Sequence, residues 1–235
     1  MTGAPAGRRR CAMGGALALA FVIALGAAAR PAAAAPACAA DPGAVQVSVR
    51  AEPGRISVRT GHGGRDLQRL QRKYGGARGA PGWHLLGLTV AEFRLDMRTT
   101  VTVRPFRGDW YCVRAATVDV TVGYPDFVVY VDRKYRPDTC EHRAVVDHEH
   151  AHIAIYRGIL ERFAPWVRDR LADAVRRLGP VVVASRAQAA DLVQDRLSEK
   201  ITPILDKLHA ATEAANARID THDTYRAITD QCRNW

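Results

Sequence analysis

Residues 139–163 read TCEHRAVVDHEHAHIAIYRGILERF, and they decide how the rest of the chain is interpreted. Within them His148, Glu149 and His152 form HExxH, a motif that binds a zinc ion through its two histidines. Histidines four residues apart lie on one face of an α-helix, so His148 and His152 can bind one metal ion together. Glu149 lies about 100° further round the helix, near enough to take a proton from a metal-activated water.

The flanking residues predict the bounds of this helix. Asp138, with Glu141 three positions later, resembles a capping box, so the helix should begin near Thr139. Apolar residues then recur at spacings of mainly three and four, which is typical of a helix with one buried face. Pro165 predicts a break, and Gly179 followed by Pro180 predicts the end of the helical pattern.

The chain before this helix has the composition of β-strands. Residues 45–49 and 56–58 alternate between apolar and polar around a Pro53–Gly54 turn, which predicts a hairpin. A short amphipathic helix is predicted over residues 66–74. Further strands, expected to form an antiparallel meander, are predicted over residues 85–95, 99–103, 111–122 and 127–131.

Helical patterns continue to the C-terminus. One runs over residues 185–219 with Pro203 inside it, and a short helix follows that starts at Asp220 or Thr221 and ends near Cys232. We therefore expect an α+β fold: one domain over residues 36–235, with a β-rich part at 41–133 and a helical part at 138–235.

Residues 1–35 have the pattern of a cleaved export signal. Three arginines, Arg8 to Arg10, precede an apolar run over residues 12–29 and a stretch of small residues. An uncleaved membrane anchor is the alternative, but alanine and glycine make this run weakly hydrophobic. We expect an exported protein, periplasmic or secreted, that keeps no stable membrane span after the signal is cleaved.

The formal net charge is +10, and the chain stays moderately basic without the four arginines of the expected signal, which favours anionic cell-envelope polymers as partners of such a protein. The basic residues are scattered and lack interleaved aromatic residues, so nucleic-acid binding is not expected.

Cysteine usage agrees with an oxidising compartment. The chain after the signal keeps an even number of cysteines without CxxC spacing, which favours disulfide bonds over a thiolate metal site. Four cysteines allow three pairings. The preferred pairing joins Cys112 to Cys140, from a strand to the metal helix, and Cys38 to Cys232, at the two ends of the domain.

The motif leaves the third metal ligand open. A metzincin would have a histidine at position 158, but that residue is Gly158, and His150 points about 200° away from His148. The segment 220–223 offers ligands, although a helix N-cap at Asp220 or Thr221 would explain it equally well. The acidic candidates on the later helices are Asp169, Asp173, Asp191, Asp195 and Glu199.

Other residues near the motif have two interpretations each. Tyr156, one turn beyond His152, either donates a hydrogen bond to a substrate oxyanion or packs in the core. Glu141 is explained by its capping role, and His142 is expected at the surface.

HEHAH in a chain of this organisation resembles the bacterial exported proteins described as predicted secreted zinc-dependent proteases. The resemblance extends over most of the chain after the signal and is strongest over residues 111–158. It implies a zincin-like domain in which His148 and His152 bind Zn²⁺, with Glu149 as the catalytic base in the hydrolysis of a peptide or protein. In such sites an extended substrate commonly pairs with a sheet edge beside the metal helix. The alternative is a non-catalytic cell-envelope module, a degenerate protease that binds a metal or another protein.

Overall fold

The computed structural model describes residue 38 and residues 44–74 and 84–235, and they form an α+β fold, as the sequence predicts. The expected export signal, residues 1–35, lies outside these residues. Among the described helices, none combines the length and apolar character needed to cross a bilayer.

The strands are β1 (Gln46–Glu52), β2 (Arg55–His62), β3 (Gly87–Ala91), β4 (Arg94–Pro105), β5 (Tyr111–Gly123), β6 (Asp126–Asp132) and β7 (Val181–Val183). The helices are α1 (Gly64–Tyr74), α2 (Cys140–Leu178), α3 (Ala189–Ile219) and α4 (His222–Thr229).

Strands β1 and β2 do not form the predicted hairpin. β1 pairs in parallel with β5, and β2 pairs in parallel with β6, so the two strands belong to different sheets. The turn between them forms hydrogen bonds with the turn between β5 and β6: Glu52 O accepts from Tyr124 N, and Pro125 O accepts from Arg55 N. Alternating residues predict a strand but do not show which neighbour it pairs with, and here the buried strands β5 and β6 are the partners.

The predicted antiparallel meander is only partly correct, because both sheets are mixed. β4 pairs with β5 and β3 with β6 in antiparallel fashion, while β1 and β2 add the parallel ladders. One sheet has the order β1-β5-β4, with β7 also pairing with β5, and the other has the order β2-β6-β3. Strand β3 is therefore an edge strand.

Helix α2 starts one residue later than predicted and does not break. Thr139, not Asp138, is the N-cap: its Oγ1 accepts a hydrogen bond from His142 N, while Asp138 has a φ of 68°. The helix continues through Pro165, since buried residues on both sides, such as Phe163 and Val167, keep it packed on the core.

The later helices are found as predicted, but α3 starts at Ala189 and not near residue 185, α4 ends at Thr229, short of Cys232, and β7 was not predicted. Helix α3 includes Pro203, and α4 begins after Thr221, whose Oγ1 accepts from Thr224 N. Asp220 is the C-cap of α3 and lies in the bend between the two helices. Of the two N-cap residues that the sequence suggested, Thr221 is confirmed, and Asp220 ends the preceding helix instead.

The preferred disulfide pairing is wrong. The bonds join Cys38 to Cys112 and Cys140 to Cys232. The second bond ties the C-terminal tail to the first turn of α2, where Glu141 also accepts a hydrogen bond from Asn234 N at 3.2 Å instead of capping the helix. The sequence supplied the four cysteines, but pairing depends on which chain segments meet in the fold. Two disulfides fit an oxidising extracellular environment.

One large core holds α2 between its neighbours. Buried residues of β5, β6, α2 and α3 form a single cluster, and a smaller cluster around Leu67 packs α1 beneath β3 and β6. Helix α2 contacts α3 on one side and strands β1, β3 and β6 on another. The middle of α2 therefore lies between the C-terminal end of α3 and the edge strand β3.

Candidate metal centre

Three side chains from two helices converge at the middle of α2. His148 and His152 point toward Asp220 at the end of α3, and these three residues form a group that can hold a metal ion. Asp220 Oδ1 lies 3.2 Å from His148 Nε2 and 3.1 Å from His152 Nε2, and the two Nε2 atoms are 3.3 Å apart. The His148 and His152 side chains are only 7% and 10% exposed.

Asn216 fixes the orientation of one imidazole. Its Oδ1 accepts a hydrogen bond from His152 Nδ1 at 2.9 Å, which leaves Nε2 of the same ring directed at Asp220. Histidines that bind metals usually donate their second nitrogen in this way, and the partner holds the ring in one tautomer. Asn216 and Asp220 are four residues apart, so α3 presents both on one face, as α2 does with its histidines.

Glu149 lies beside this group and is held by the edge strand. Thr89 Oγ1 of β3 donates to Glu149 Oε2 at 2.7 Å. Thr89 Oγ1 also lies 3.2 Å from the backbone carbonyl oxygen of Glu149. Glu149 is 3% exposed. Gly87 leaves room for it, because a Cβ at that position would lie 2.7 Å from Glu149 Oε1 and 2.7 Å from Val145 Cγ1.

A pocket of about 720 Å³ opens onto the group. All of β3 lines one side of it, and the C-terminal part of α3 lines another. Glu149, His152 and Asp220 are among the lining residues, so a buried carboxylate, a half-buried carboxylate and an imidazole line a space large enough for a ligand.

Two tyrosines complete the wall near the histidines. Tyr156 packs edge-on against Tyr124 at 4.9 Å and lies 5.8 Å from the Phe127 ring, so it is both a core residue and a pocket residue. Tyr225 of α4 lies 5.4 Å from the His148 ring and also lines the pocket. Burial raises the pKa of both phenols, so both remain neutral hydrogen-bond donors.

The charges of the group stabilise one another. Burial disfavours the charged Asp220 carboxylate, but hydrogen bonds from His148 and His152 outweigh it and lower the pKa of Asp220 to about 2. Burial likewise opposes a charged His152, but the carboxylates of Asp220 and Glu149 raise its pKa to about 8. Burial raises the pKa of Glu149 above its ordinary value, against the effects of His152 and Thr89.

The remaining candidates lie away from the group. His150 is exposed on the outer face of α2, and His142 is half-buried, not at the surface as expected, with a buried Nε2. None of the five acidic residues proposed on the later helices belongs to the group. Asp173 pairs with Arg177 at 2.8 Å, Asp169 pairs with Arg168 at 3.3 Å, and Asp191, Asp195 and Glu199 are exposed.

The sequence did not identify four residues that line the pocket: Thr89, Asn216, Tyr225 and Glu213. For Asn216 a sequence cue existed, namely its spacing of four from Asp220 at the end of a helical pattern. The others depend on how strands and helices meet in space, and nothing in their local sequence distinguishes them.

The first prediction concerns Gly87. The substitution Gly87→Ala should lower the free energy of unfolding by about 1–3 kcal/mol, because the new methyl group overlaps Glu149 and Val145. The matched control is Gly158→Ala in α2, where no atom lies within 4 Å of the added Cβ. That change should raise stability by up to about 1 kcal/mol through helix propensity. Urea unfolding measures both, and equal effects would contradict the packing described here.

The second prediction concerns the third ligand. Asp220→Asn should weaken the binding of a divalent metal, with Co²⁺ and Zn²⁺ as probes, by more than about tenfold, since even losing an outer partner of a ligand costs about that much. The control is Asp223→Asn, three residues away, whose side chain is 92% exposed. Competition titration with a chelating dye gives both affinities. Unchanged affinity in the Asp220 variant would exclude this residue as a ligand.

The third prediction concerns the metal-free protein. His152 has a raised pKa of about 8, so its contribution to stability is complete below its ordinary 6.5 and is lost as the pH rises through 8. Asp220 acts oppositely: its contribution is complete above 3.8 and is lost as the pH falls toward 2. With chelator present, unfolding free energy should fall by roughly 2 kcal/mol between about pH 6 and pH 9. Asp220→Asn should flatten this dependence, and a wild-type curve that rises over the range would contradict the assignment.

No match to this chain is found among family models, curated proteins or solved structures. The resemblance to exported zinc-dependent proteases therefore stays a prediction. The features of this chain that bear on function are the three residues that could hold a metal ion, the buried glutamate beside them and the pocket.

Proposed function

We propose that the protein is an exported zinc-dependent peptidase. The observation that carries the proposal is the position of Glu149: a buried carboxylate that lies next to a three-ligand group and opens onto a pocket bounded by a strand edge. A metal-assisted hydrolase needs a ligand set with a free position, a base beside it and a place for an extended substrate. These three requirements meet in one pocket here.

The donor set fits zinc. Zinc bonds of about 2.0–2.1 Å in tetrahedral geometry place neighbouring ligand atoms roughly 3.3 Å apart. The three distances among His148 Nε2, His152 Nε2 and Asp220 Oδ1 are 3.1–3.3 Å, so these atoms can occupy one face of such a tetrahedron. Two imidazoles and one carboxylate leave the fourth position open, which is typical of catalytic zinc sites and not of structural ones.

The residues around the group have distinct tasks in peptide hydrolysis. Zinc, when bound, polarises a carbonyl and makes water a stronger nucleophile near neutral pH. Glu149 accepts the proton of the attacking water and later donates it to the leaving amine. Thr89 holds the carboxylate in place. Tyr156 and Tyr225 are neutral donors that line the pocket and are the candidates for stabilising the oxyanion.

Strand β3 offers the substrate backbone an edge that no other described strand pairs with. Leu86 O accepts from Asp132 N of the neighbouring strand, so by the alternation of a β-strand the backbone groups of residues 88 and 90 also face β6. The backbone groups of Gly87, Thr89 and Ala91 then face the open edge. An extended peptide pairing there would run beside Glu149, because Thr89 contacts that glutamate through its side chain.

Export is supported by the chemistry of the chain. Two disulfides, Cys38–Cys112 and Cys140–Cys232, persist only under oxidising conditions, and the N-terminal sequence has the pattern of an export signal. The expected location is the periplasm or the outside of the cell.

The fourth prediction tests the enzyme. Glu149→Gln should retain one zinc per chain and lower peptide hydrolysis by at least about a hundredfold, because the proton acceptor is lost. His148→Ala should lose both the zinc and the activity. The matched control, Glu161→Gln, changes an exposed glutamate on the same helix and should alter neither. Elemental analysis gives the zinc content, and a quenched fluorescent peptide library gives the rate.

Two outcomes would contradict the proposal. Full activity in Glu149→Gln would exclude this glutamate as the base. A wild-type protein that holds zinc but cleaves no peptide of the library would favour the non-catalytic alternative, a metal-binding or protein-interaction module of the cell envelope.

A further inference from the structure

The pocket has a charge opposite to that of the chain. The protein carries a formal net charge of +10, yet the described residues that line the pocket include no lysine or arginine. Their charged members, His152 apart, are three carboxylates: Glu149, Asp220 and Glu213. The first two have tasks at the metal group. Glu213 has no task there; it is an exposed residue that lines the pocket, the space that a substrate would fill.

Glu213 lies two helical turns from Asp220, a member of the candidate metal group. It precedes Asp220 by seven residues on α3, which places it two helical turns away, about 10 Å along the helix axis. The residues between them on this wall include Ala214 and Ala217, whose short side chains leave the path open. Opposite is the free edge of β3, so a peptide bound there would pass between the strand and Glu213.

Glu213 carries a charge that acts inside the pocket. After burial and the Asp220 carboxylate, its charge is a cause of the raised pKa of Tyr156, which lines the same pocket. Among the described residues, no lysine, arginine or histidine forms an ion pair with it; the salt bridges of this part of the chain lie elsewhere. A carboxylate in this position attracts a cation from the ligand.

We infer that Glu213 is a specificity-determining residue that binds a cationic group of the peptide substrate, two helical turns from the metal group. The inference rests on the proposed peptidase function. An extended peptide advances about 3.3 Å per residue, so the cation is carried within about three residues of the scissile bond. Two sources share this chemistry: a lysine or arginine side chain of the substrate, and the free amine of a substrate N-terminus.

The experiment measures binding and not turnover. Full-length protein carrying Glu149→Gln is loaded with zinc and titrated with fluorescein-labelled octapeptides of three kinds. One set is N-acetylated and places a single lysine at each position in turn. A second set is N-acetylated with norleucine in place of lysine, and a third has norleucine throughout and a free N-terminus with the label at the C-terminus. Fluorescence anisotropy gives the dissociation constants.

The expected result is a lysine or free-amine peptide that binds about tenfold more tightly than its neutral counterpart, which is the scale of one charge-assisted contact. Adding Glu213→Gln should abolish that preference, and Glu213→Lys should reverse it toward a glutamate-containing peptide. The matched control is Asp206→Asn, which makes the same charge change at an exposed position two turns further back on α3, outside the pocket. It should leave the preference intact. Whether lysine or the free amine gives the effect identifies the source of the cation.

Each other outcome overturns the inference. No preference for a cation in the protein with Glu213, or a preference that persists in Glu213→Gln, would show that this carboxylate does not select the substrate. The same peptides incubated with the wild-type protein separate the two proposals: a preference without hydrolysis contradicts the peptidase and keeps the cation site, whereas hydrolysis without a preference contradicts the cation site alone.

Discussion

The Asp220 carboxylate joins two histidines of one helix to the end of another, and the architecture of the site follows from this contact. Two imidazoles whose Nε2 atoms lie 3.3 Å apart would be costly to bury without a partner. Asp220 supplies the partner, at 3.1 and 3.2 Å from the two nitrogens. Asp220 ends α3 at the turn into α4, and Tyr225 of α4 lies 5.4 Å from the His148 ring.

The same contact fixes which face of α3 meets the pocket. Residues 213, 216 and 220 recur at spacings of three and four, so one helical face presents a carboxylate, an amide and a carboxylate in order. The amide orients His152, and the last carboxylate completes the group that could hold a metal ion. Across the pocket, Thr89 connects the strand edge to Glu149. A ligand between these two walls would contact groups from both halves of the molecule.

The sequence predicts local structure well here and long-range structure poorly. His148, Glu149 and His152 follow from their spacing on one helix, and the α+β division follows from a change of periodicity near residue 138. The choice of Asp220 among several acidic residues does not, since it requires knowing where the end of α3 packs. The predictions of a β1–β2 hairpin and of the disulfide pairing were wrong for the same reason. The observed pairings of β1 with β5, of β2 with β6 and of the cysteines all join residues more than 60 positions apart. The predicted helix break at Pro165 was wrong for a different reason: tertiary packing on both sides of the proline outweighs one lost hydrogen bond.

The position of Asp220 along the chain determines when in folding it can meet the two histidines. His152 and Asp220 are 68 residues apart in sequence, and all of α3 lies between them. A folding chain can form the HExxH turn early, since its contacts are local, but the full set of donors exists only after α3 has docked on α2. In the proposed zinc protein, tight metal capture would therefore be a late event that requires completed tertiary structure. An apo chain with α3 undocked would hold the ion only through two imidazoles, and metal supply during folding should act on the final docking step and not on the formation of α2.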